Sequence, residues 1–316
     1  MTTEAAIPLR PSLFTRLMAG RAGPVAVVSL AIVVLWYLGA VYMNAPVQID
    51  RYERGKVEWT FGQLVADTLE QDRPVLPAPH QILVEMDKTI LGKKITSRRS
   101  LVYHAWITLS SALAGFLTGA VLGIVLAVGI VHKRTLDKSL MPWIIASQTI
   151  PILAIAPMVV VVLGTIQPIT EFNEQVIGNS GFVQKALVST YLCFFPVTIG
   201  MVKGFRSPDI LSLDLMRTYS ASRWQTFRML RWPAALPFLF TSLKISIAAS
   251  MVGAIVAELP TGAQAGLGAR MLQGSYHGQM INIWSALLTA ALISGMLVAL
   301  VGVFEKFTTR LMGGRP

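Results

Sequence analysis

The side chains that could carry catalytic or metal chemistry are few and scattered in this 316-residue sequence. It has one cysteine, Cys193, and four histidines, and their positions match no metal-ligand spacing. An enzyme working inside a membrane would need paired acids, a serine or aspartate beside a histidine, or a metal cluster within an apolar segment. His104 begins one apolar segment and Glu258 ends another, but no catalytic pair occurs at helical spacing. We therefore predict no catalytic residues and no metal site, and an intramembrane enzyme is the least favoured function.

Polar residues inside apolar segments are the other candidates, because such residues can line a route through a bilayer. Two of them precede Pro151, which removes a backbone donor, and the bent helix that results either lines a route or is merely bent. Serines recur at steps of four in a later segment, where they form either a polar pore face or a close-packing face. The predicted translocation pathway consists of Gln148, Thr149, Ser246, Ser250 and Glu258.

Two ionisable residues, Lys244 and Glu258, share one apolar segment. They are separated by about 21 Å along a helix, at a rise of about 1.5 Å per residue, so they do not pair within that helix. We expect Lys244 to reach lipid headgroups or a loop carbonyl, and Glu258 to lie at the outer surface.

The composition excludes an ordinary soluble enzyme, a disordered chain and a fibrous repeat. Hydrophobic residues make up 53% of the chain and charged residues 14%, and the mean hydropathy is +0.59. A soluble domain carries about a quarter charged residues. A net charge of +11 on so apolar a chain indicates membrane topology rather than nucleic-acid binding. We predict an all-α integral membrane protein that lies in a lipid bilayer and binds no nucleic acid.

Six segments are long and apolar enough to span a membrane, which takes about 20 residues. They cover residues 25–43, 104–131, 141–164, 183–205, 238–258 and 283–304. The first is longer than the core of about 7–15 residues in a signal peptide, and we interpret it as an uncleaved anchor. In the second, Gly115, Gly119 and Gly123 recur at steps of four, a spacing that lets another helix approach closely.

Basic residues predict the orientation of these spans. Fifteen lie before the first span, after the sixth, and around the connections between spans two and three and between four and five. The connections 165–182 and 259–282 contain only Arg270. The positive-inside rule then places both termini in the cytoplasm. The predicted organisation is a cytoplasmic segment 1–23, a first transmembrane helix 24–43, an external segment 44–103, a core 104–305 with five transmembrane helices, and a cytoplasmic tail 306–316.

The external segment 44–103 carries nine basic and eight acidic residues, and a loop of this length crosses a membrane largely regardless of charge. Its runs 59–72 and 80–91 have apolar residues near helical spacing. We expect two short amphipathic helices joined by the proline-rich turn 76–79, in a lid or spacer without a ligand of its own.

The cytoplasmic connection 206–236 mixes aromatic residues with arginines. Asp209 can cap a helix, and the Ser-Ala-Ser step at 220–222 indicates a turn between two short helices. Trp224 and Phe227 lie three residues apart, so we expect them to share one exposed helix face. Such a segment is either a protein-docking surface or an amphipathic helix lying on lipid headgroups.

This connection resembles the cytoplasmic coupling motif of ABC-importer permeases. The family pattern is Glu-Ala-Ala, three residues, Gly, and further on Leu-Pro. The shared positions are Arg217-Thr218, 221–224 (Ala-Ser-Arg-Trp), Phe227 and 233–237 (Pro-Ala-Ala-Leu-Pro). The chain departs from the pattern at 214–216, where Asp-Leu-Met stands, at Ser220 and at Trp232. The resemblance covers about residues 76–306 and looks like the nitrate/sulfonate/taurine branch.

The resemblance implies a fold, a location and partners. The fold is the type I ABC-importer permease architecture, with six transmembrane helices and with short helices in the first periplasmic loop and in the cytoplasmic coupling loop. The location is the bacterial inner membrane. The partners are two cytosolic ATP-binding subunits, a second permease subunit, identical or different, and an extracytoplasmic substrate-binding protein. The chain has no Gly-rich phosphate loop, so we expect ATP and Mg²⁺ on the ATP-binding subunits and no cofactor on this chain.

The resemblance also implies a coupling site and a transport function. The residues expected to couple to the ATPase are Asp214, Arg217, Tyr219, Ser220, Ala221, Ser222, Arg223, Trp224, Phe227 and Pro233. The expected function is import of a small solute by alternating access. That solute is either a nitrate-, sulfonate- or taurine-like anion or a small heterocycle such as a pyrimidine. A passive channel or a membrane scaffold subunit is the alternative.

Overall fold

A computed structural model describes residues 22–177, 181–260 and 265–312 of the chain. The described residues are predominantly helical, and none of them forms a strand. The chain divides into two compact units, residues 1–85 and 86–316. The predicted cytoplasmic segment 1–23 lies almost entirely outside the described residues, as does the end of the predicted tail 306–316.

The first unit begins with helix α1, Ala22–Gly55. Its apolar part is exposed, as expected of a lipid-facing span, but the helix does not end at residue 43. Beyond that point Asn44, Gln48 and Tyr52 recur at steps of four and therefore lie on one face. This polar face is bonded to the chain that follows, and those bonds explain why the helix continues into the predicted external segment.

Asn44 makes the most of these bonds, and it is fully buried. Its side-chain oxygen accepts from the backbone N–H of Val75 at 2.8 Å and of Leu76 at 3.1 Å. Gln71 donates to the side-chain oxygen of Gln48 at 3.0 Å, and the Tyr52 hydroxyl donates to Asp67.

The two short helices predicted for segment 44–103 are confirmed as α2, Phe61–Leu69, and α3, Pro79–Ile90. Helix α2 begins with a capping box, in which Thr60 and Gln63 satisfy each other's backbone N–H groups. The Thr60 hydroxyl accepts from Gln63 at 3.4 Å, and the Gln63 side chain accepts from Thr60 at 3.0 Å.

The second unit contains the remaining described helices. They are α4, Leu101–His132; α5, Arg134–Ser147; α6, Ile152–Gly164; α7, Gln167–Glu171, with a π-helical segment, Phe172–Ile177; α8, Phe182–Phe205; α9, Ile210–Thr218; α10, Arg223–Thr226, with a π-helical turn, Phe227–Arg231; α11, Trp232–Glu258; α12, Leu267–Tyr276; and α13, Met280–Leu311.

Five described helical segments are long and apolar enough to cross a membrane, and they contain the predicted spans one, two, four, five and six. The remaining span, 141–164, is not one continuous helix, because α5 and α6 meet at an angle of 99°. Pro151 stands at this break and cannot donate to the carbonyl of Ser147, four residues earlier. The predicted six crossings therefore require that the bent pair α5 and α6 count as one.

Helix α8 packs closely against α4 through the predicted glycine stripe. A Cβ atom at Gly119 would lie 2.6 Å from the Cβ of Cys193 and 2.9 Å from the carbonyl oxygen of Thr190. At Gly123, a Cβ would lie 2.7 Å from the Phe194 carbonyl oxygen. The stripe is thus a packing face, because any side chain there would push the two backbones apart.

Candidate functional site

The connection 206–236 folds as two short helices joined by a tight turn. Asp209 caps α9, and its carboxylate accepts from the Ile210 N–H at 2.7 Å, which confirms the predicted cap. After α9 the N–H of Ala221 reaches the carbonyl of Met216 at 2.9 Å, and the N–H of Ser220 reaches Arg217 at 2.8 Å. These are the two bonds of a Schellman motif.

Ser220 occupies the left-handed position of this motif, with φ at +53°. That backbone conformation favours glycine, because a Cβ there approaches a neighbouring carbonyl. The serine found in place of the glycine of the resembling pattern therefore keeps the geometry of the turn at a conformational cost. Ser222 then caps α10, with its hydroxyl accepting from Gln225 at 3.2 Å in a capping box.

The two aromatic residues share one face as predicted, but they differ in exposure. The rings of Trp224 and Phe227 stack at 5.8 Å between centroids. Trp224 is 66% exposed, whereas Phe227 is only 7% exposed. The expectation that both would be exposed is therefore wrong for Phe227.

Phe227 is buried because it lies where three membrane helices end or begin. Its ring centroid is 5.0 Å from His132 at the end of α4, 5.2 Å from Phe205 at the end of α8, and 6.0 Å from Trp232 at the start of α11. The ring thus joins the segment 206–236 to the ends of all three helices.

Arginines line a cavity of about 570 Å³ beside this aromatic cluster. Its walls include His132 from α4, Arg217 from α9, and Arg223 and Arg231 from the second short helix and its continuation. Arg217 also pairs with the exposed Asp214 at 2.8 Å. This surface is positively charged, so a complementary partner would present acidic groups.

The other residues predicted to couple lie around the same turn. Tyr219 is 76% exposed, and Ala221 is half-buried beside the arginine cavity. Pro233 lies in the first turn of α11, directly after the π-helical turn. Because the proline ring would crowd the carbonyl of Met229 in a regular helix, a widened turn accommodates it.

The predicted pathway residues fall into two separate places. Gln148 and Thr149 are exposed at the break between α5 and α6. Here the Tyr191 hydroxyl of α8 donates to the carbonyl of Ser147 at 2.6 Å. Pro151 leaves this carbonyl without its helical donor, and the Tyr191 bond supplements a longer one from the Ile150 N–H at 3.4 Å and holds the broken helix against α8.

Ser246 and Ser250 are fully buried on α11. The Ser246 hydroxyl donates to the carbonyl of Cys193 at 3.1 Å, and the Ser189 hydroxyl donates to the carbonyl of Ser250 at 2.9 Å. Of the two alternatives for this stripe, the structure shows the close-packing face, directed at α8.

Glu258 lies in a buried polar cluster, which we call the Glu258 network: His104, Thr108, Lys185, Glu258 and residues 266–268. Its carboxylate accepts from the Thr108 hydroxyl at 2.8 Å and from the Gly268 N–H at 2.7 Å, and Lys185 Nζ lies 3.9 Å away. The side chains of Lys185 and Glu258 are fully buried. Glu258 is therefore enclosed by the protein itself rather than exposed at the end of its helix.

The Glu258 network holds the first turn of α12. The Thr108 hydroxyl accepts from the Leu267 N–H at 2.8 Å, and His104 Nδ1 accepts from the Gly266 N–H at 3.0 Å. A Cβ at Gly266 would overlap the Glu258 carboxylate, and its φ of +133° also requires glycine. Helices α4 and α11 thus satisfy the free backbone donors at the start of α12.

The sequence analysis missed Lys185 and did not predict the partner of Lys244. Lys185 follows the start of an apolar run, and a lysine in such a run is a signal for a buried partner. The ammonium group of Lys244 pairs with Glu305 of α13, and both side chains remain partly exposed.

Comparison with known proteins identifies the kind of molecule that carries these features. The model of the family described as "Binding-protein-dependent transport system inner membrane component" matches residues 119–312. This match includes the turn at Ser220, the aromatic cluster and most of the Glu258 network.

The chain belongs to this family.

Named relatives are permeases of ABC importers. The chain is 32% identical over 209 residues to the riboflavin transport system permease protein of Chloroflexus aurantiacus, covering 66% of this chain and 71% of that protein. It is 30% identical over 195 residues to the formylaminopyrimidine transport permease protein of Halalkalibacterium halodurans, covering 61% and 68%. It is 26% identical over 231 residues to the nitrate import permease protein of Synechocystis sp., covering 72% and 74%.

The protein is therefore a multi-pass permease of an ABC importer. Permeases of this family lack an ATPase site of their own and work with ATPase partners and a substrate-binding protein. The predicted fold class, an all-α permease with membrane-spanning helices, is confirmed.

Proposed function

We propose that this permease imports a small solute into a bacterial cytoplasm by alternating access, and that the segment 206–236 transmits the work of separate ATPases. The observation that supports this proposal most strongly is the pairing of an exposed Trp224 with a buried Phe227. One ring is available to a partner and the other is fixed in the membrane bundle. A helix lying on lipid would need no such connection to the bundle.

The aromatic cluster explains how a docked motor would move the membrane helices. A partner that shifts Trp224 would shift Phe227, which contacts residues at the ends of α4, α8 and α11. Because packed rings have few alternative arrangements, the three ends would move together as a rigid body. We propose that this movement alternates the access of the solute route.

We assign a part in coupling to each of the residues predicted to couple to the ATPase, and these parts differ. The exposed side chains of Asp214, Arg217, Tyr219, Arg223 and Trp224 would contact the ATPase. Ser220, Ala221 and Ser222 would shape the turn, and Phe227 and Pro233 would anchor it. ATP and Mg²⁺ would be bound by two cytosolic subunits, and a second permease, identical or different, would complete the route.

In the pathway we propose different duties for the predicted residues. The exposed Gln148 and Thr149 would border the solute route at the helix break. The buried Ser246, Ser250 and Glu258 would position the helices that form it. The segment 44–103 would serve as an external lid or spacer.

The orientation proposed here places the termini and the segment 206–236 in the cytoplasm of an inner membrane. Single cysteines at the exposed Lys94 and Arg228 test it, because the native Cys193 is fully buried and gives little background. In intact cells an impermeant maleimide should label Lys94→Cys and spare Arg228→Cys. The reverse pattern would contradict the orientation.

The substrate class is proposed only as a choice between two kinds of solute. The relatives named above are permeases for riboflavin, formylaminopyrimidine and nitrate, which include both heterocycles and an inorganic anion. We propose that the solute of this permease is either a small anion of the nitrate, sulfonate or taurine type or a small heterocycle.

Transport itself is tested with the permease reconstituted in proteoliposomes together with its ATPase and binding protein. Uptake of the solute held by the binding protein should require ATP and should stop when a non-hydrolysable analogue replaces it. Solute flux that continues without ATP would instead identify a passive channel.

A further inference from the structure

Arg270 is the single charged residue of the connection 259–282, which the proposed orientation places outside the membrane. Short external connections are normally poor in basic residues, because the positive-inside rule concentrates such residues in the cytoplasm. The connection 165–182 follows that rule and contains no lysine or arginine. Topology therefore disfavours Arg270 at its position, and its presence there needs another physical reason.

A cavity of about 180 Å³ lies beside this arginine, between α12 and the start of α13. Arg270, Gln273 and His277 follow one another at intervals of three and four residues, so they share one face of α12 and its C-terminal end. Gln279 and Asn282 complete the wall, and polar atoms form the larger part of it. None of the described residues that line the cavity is acidic. The cavity is thus a polar recess with a positive charge and no negative one.

Arg270 is half-buried, and it has no carboxylate partner among the described residues. Its own connection supplies none, since 259–282 contains no aspartate or glutamate. Glu258, the nearest acid before it in the chain, is already bonded to Thr108 and Gly268. A charge that is partly withdrawn from water is stabilised by an opposite charge. A bound anion would supply the missing counter-charge.

The uncharged side chains of the cavity add hydrogen-bond donors. Asn282 Nδ2 donates to Gln279 Oε1 at 2.7 Å, so the group that Gln279 has left is its NH2 donor. Gln273 carries a further amide. The guanidinium group of Arg270 presents its donors in a fork, which matches two oxygens of one anion. These groups are suited to an oxyanion.

Both ends of α12 are fixed, so the cavity is preformed. The Glu258 network holds the first turn. At the other end the N–H of Gln279 reaches the carbonyl of Gly274 at 2.8 Å, and Gly278 turns the chain with a φ of +63°. A Cβ at Gly274 would lie 2.7 Å from the side chain of Ile283, so α12 and α13 are in close contact here. A preformed site binds its ligand without the cost of ordering a loop.

The volume of the cavity favours a small ligand. About 180 Å³ is the space of about six water molecules, at about 30 Å³ each. Sites for drug-sized molecules measure about 300–1,000 Å³. Nitrate or a sulfonate group fits the smaller space, whereas a three-ring system such as that of riboflavin does not. A neutral pyrimidine would fit but would leave the charge of Arg270 unbalanced.

We propose that this cavity, which we call the Arg270 site, binds the anionic group of the transported solute at the outer face of the permease, and that the solute is a small oxyanion rather than an uncharged heterocycle. This inference rests on the proposed transport function and selects between its two substrate classes. Arg270 would pair with two oxygens of the solute, and Gln273 and Gln279 would donate to its oxygens. The solute would reach the site after it leaves the binding protein and before it enters the route.

The test follows modification of arginines by phenylglyoxal in the purified complex of permease and ATPase in lipid nanodiscs. Peptide mass spectrometry gives the rate of modification at each arginine separately. Nitrate and ethanesulfonate, at constant ionic strength, should slow the modification of Arg270 saturably, and uncharged 4-aminopyrimidine should not. Arg99 is the internal control, because it is exposed in the segment 44–103. Its modification rate should be the same with every probe.

Variants locate the binding by equilibrium dialysis of labelled ethanesulfonate. Arg270→Gln should weaken binding by about tenfold or more, as for removal of a hydrogen bond to a charged group. Arg270→Lys keeps the charge without the fork, so it should weaken binding less. Arg99→Gln is the matched control and should bind as the unaltered complex does. Retention of the binding protein by the complex is measured with the same variants and should not change.

Three results would overturn the inference: Arg270 modification that neither oxyanion slows, equal protection by 4-aminopyrimidine, or loss of binding-protein retention in Arg270→Gln with unchanged ethanesulfonate binding. The last result would assign Arg270 to the interface with the binding protein. Uptake by the unaltered complex is measured in parallel. If uptake requires ATP while the Arg270 results fail, the proposed function stands and only the anion assignment falls. Uptake that needs no ATP would contradict the proposed function itself.

Discussion

Lys185 of α8 and Glu258 of α11 form an ion pair in which both side chains are fully buried, with Nζ 3.9 Å from Oε1. The same carboxylate holds the N–H of Gly268 at 2.7 Å. One acidic side chain thus links two membrane helices to the start of α12. The ion pair positions these helices, because Lys185, Glu258 and the groups that they bind all belong to the helix bundle.

Removing one charge of this pair should destabilise the permease strongly. We expect Glu258→Gln to reduce the free energy of unfolding by about 3–5 kcal/mol, because Lys185 would lose its buried counter-charge. The double variant Lys185→Met with Glu258→Gln should recover much of that loss. Folded yield and thermal midpoint in detergent measure both. Equal loss in the single and double variants would show that the two charges do not stabilise each other.

The contact between α4 and α8 should tolerate no side chain at Gly119. A Cβ there would lie 2.6 Å from the Cβ of Cys193, so Gly119→Leu should force the helices apart and reduce the folded yield severely. Gly295→Leu is the matched control, because an added Cβ there has no atom within 4 Å among the described residues outside its own stretch of helix. Similar yields for the two variants would contradict this packing.

The turn at Ser220 should become more stable when glycine replaces the serine. Because Ser220 has a φ of +53°, Ser220→Gly should raise the free energy of unfolding by about 1 kcal/mol, and Ser220→Val should lower it. Ser222→Gly, two residues later, is the control. Ser222 has a φ of −65° and caps α10, so its loss should destabilise the protein. The two glycine variants should change the thermal midpoint in opposite directions. Changes in the same direction would contradict the left-handed conformation assigned to Ser220.

The broken helix should depend on the Tyr191 hydroxyl. Tyr191→Phe removes the shorter of the two hydrogen bonds to the Ser147 carbonyl and should cost about 0.5–1.5 kcal/mol, the range for one hydrogen bond, because the Ile150 N–H still reaches that carbonyl at 3.4 Å. Tyr42→Phe is the control, because Tyr42 is 80% exposed. Thermal denaturation in matched detergent compares the two, and an unchanged midpoint for Tyr191→Phe would mean that the break is held by other contacts.

The apolar runs predicted where the chain crosses the membrane, because length and hydropathy alone decide that question. The Asp209 cap was also readable, since capping depends on local residue types. The burial of Phe227 could not be predicted from the sequence, because Trp224 and Phe227 have the same local pattern. Their exposure differs only because residues of α4, α8 and α11 pack around Phe227.

Other misses have the same long-range origin. The continuation of α1 past residue 43 depends on Asn44, Gln48 and Tyr52, a polar face that apolar periodicity does not detect. The pairing of Lys185 with Glu258 joins residues on different helices.

The central claim is that the segment 206–236 docks the ATPase through its exposed ring, and Trp224→Ala tests it most directly. Phe227 stays unchanged in this test, because its removal would also damage the buried cluster. Trp143→Ala is the matched control, since Trp143 is 77% exposed but lies on α5, outside the segment.

The measurement is the amount of ATPase that co-purifies with the tagged permease, together with solute-stimulated ATP hydrolysis. Trp224→Ala should leave the permease folded in the membrane and weaken ATPase retention by about 30-fold, the effect of losing about 2 kcal/mol at an interface anchor. Trp143→Ala should retain the ATPase as the unaltered permease does. Full retention and normal stimulation with Trp224→Ala would contradict the account.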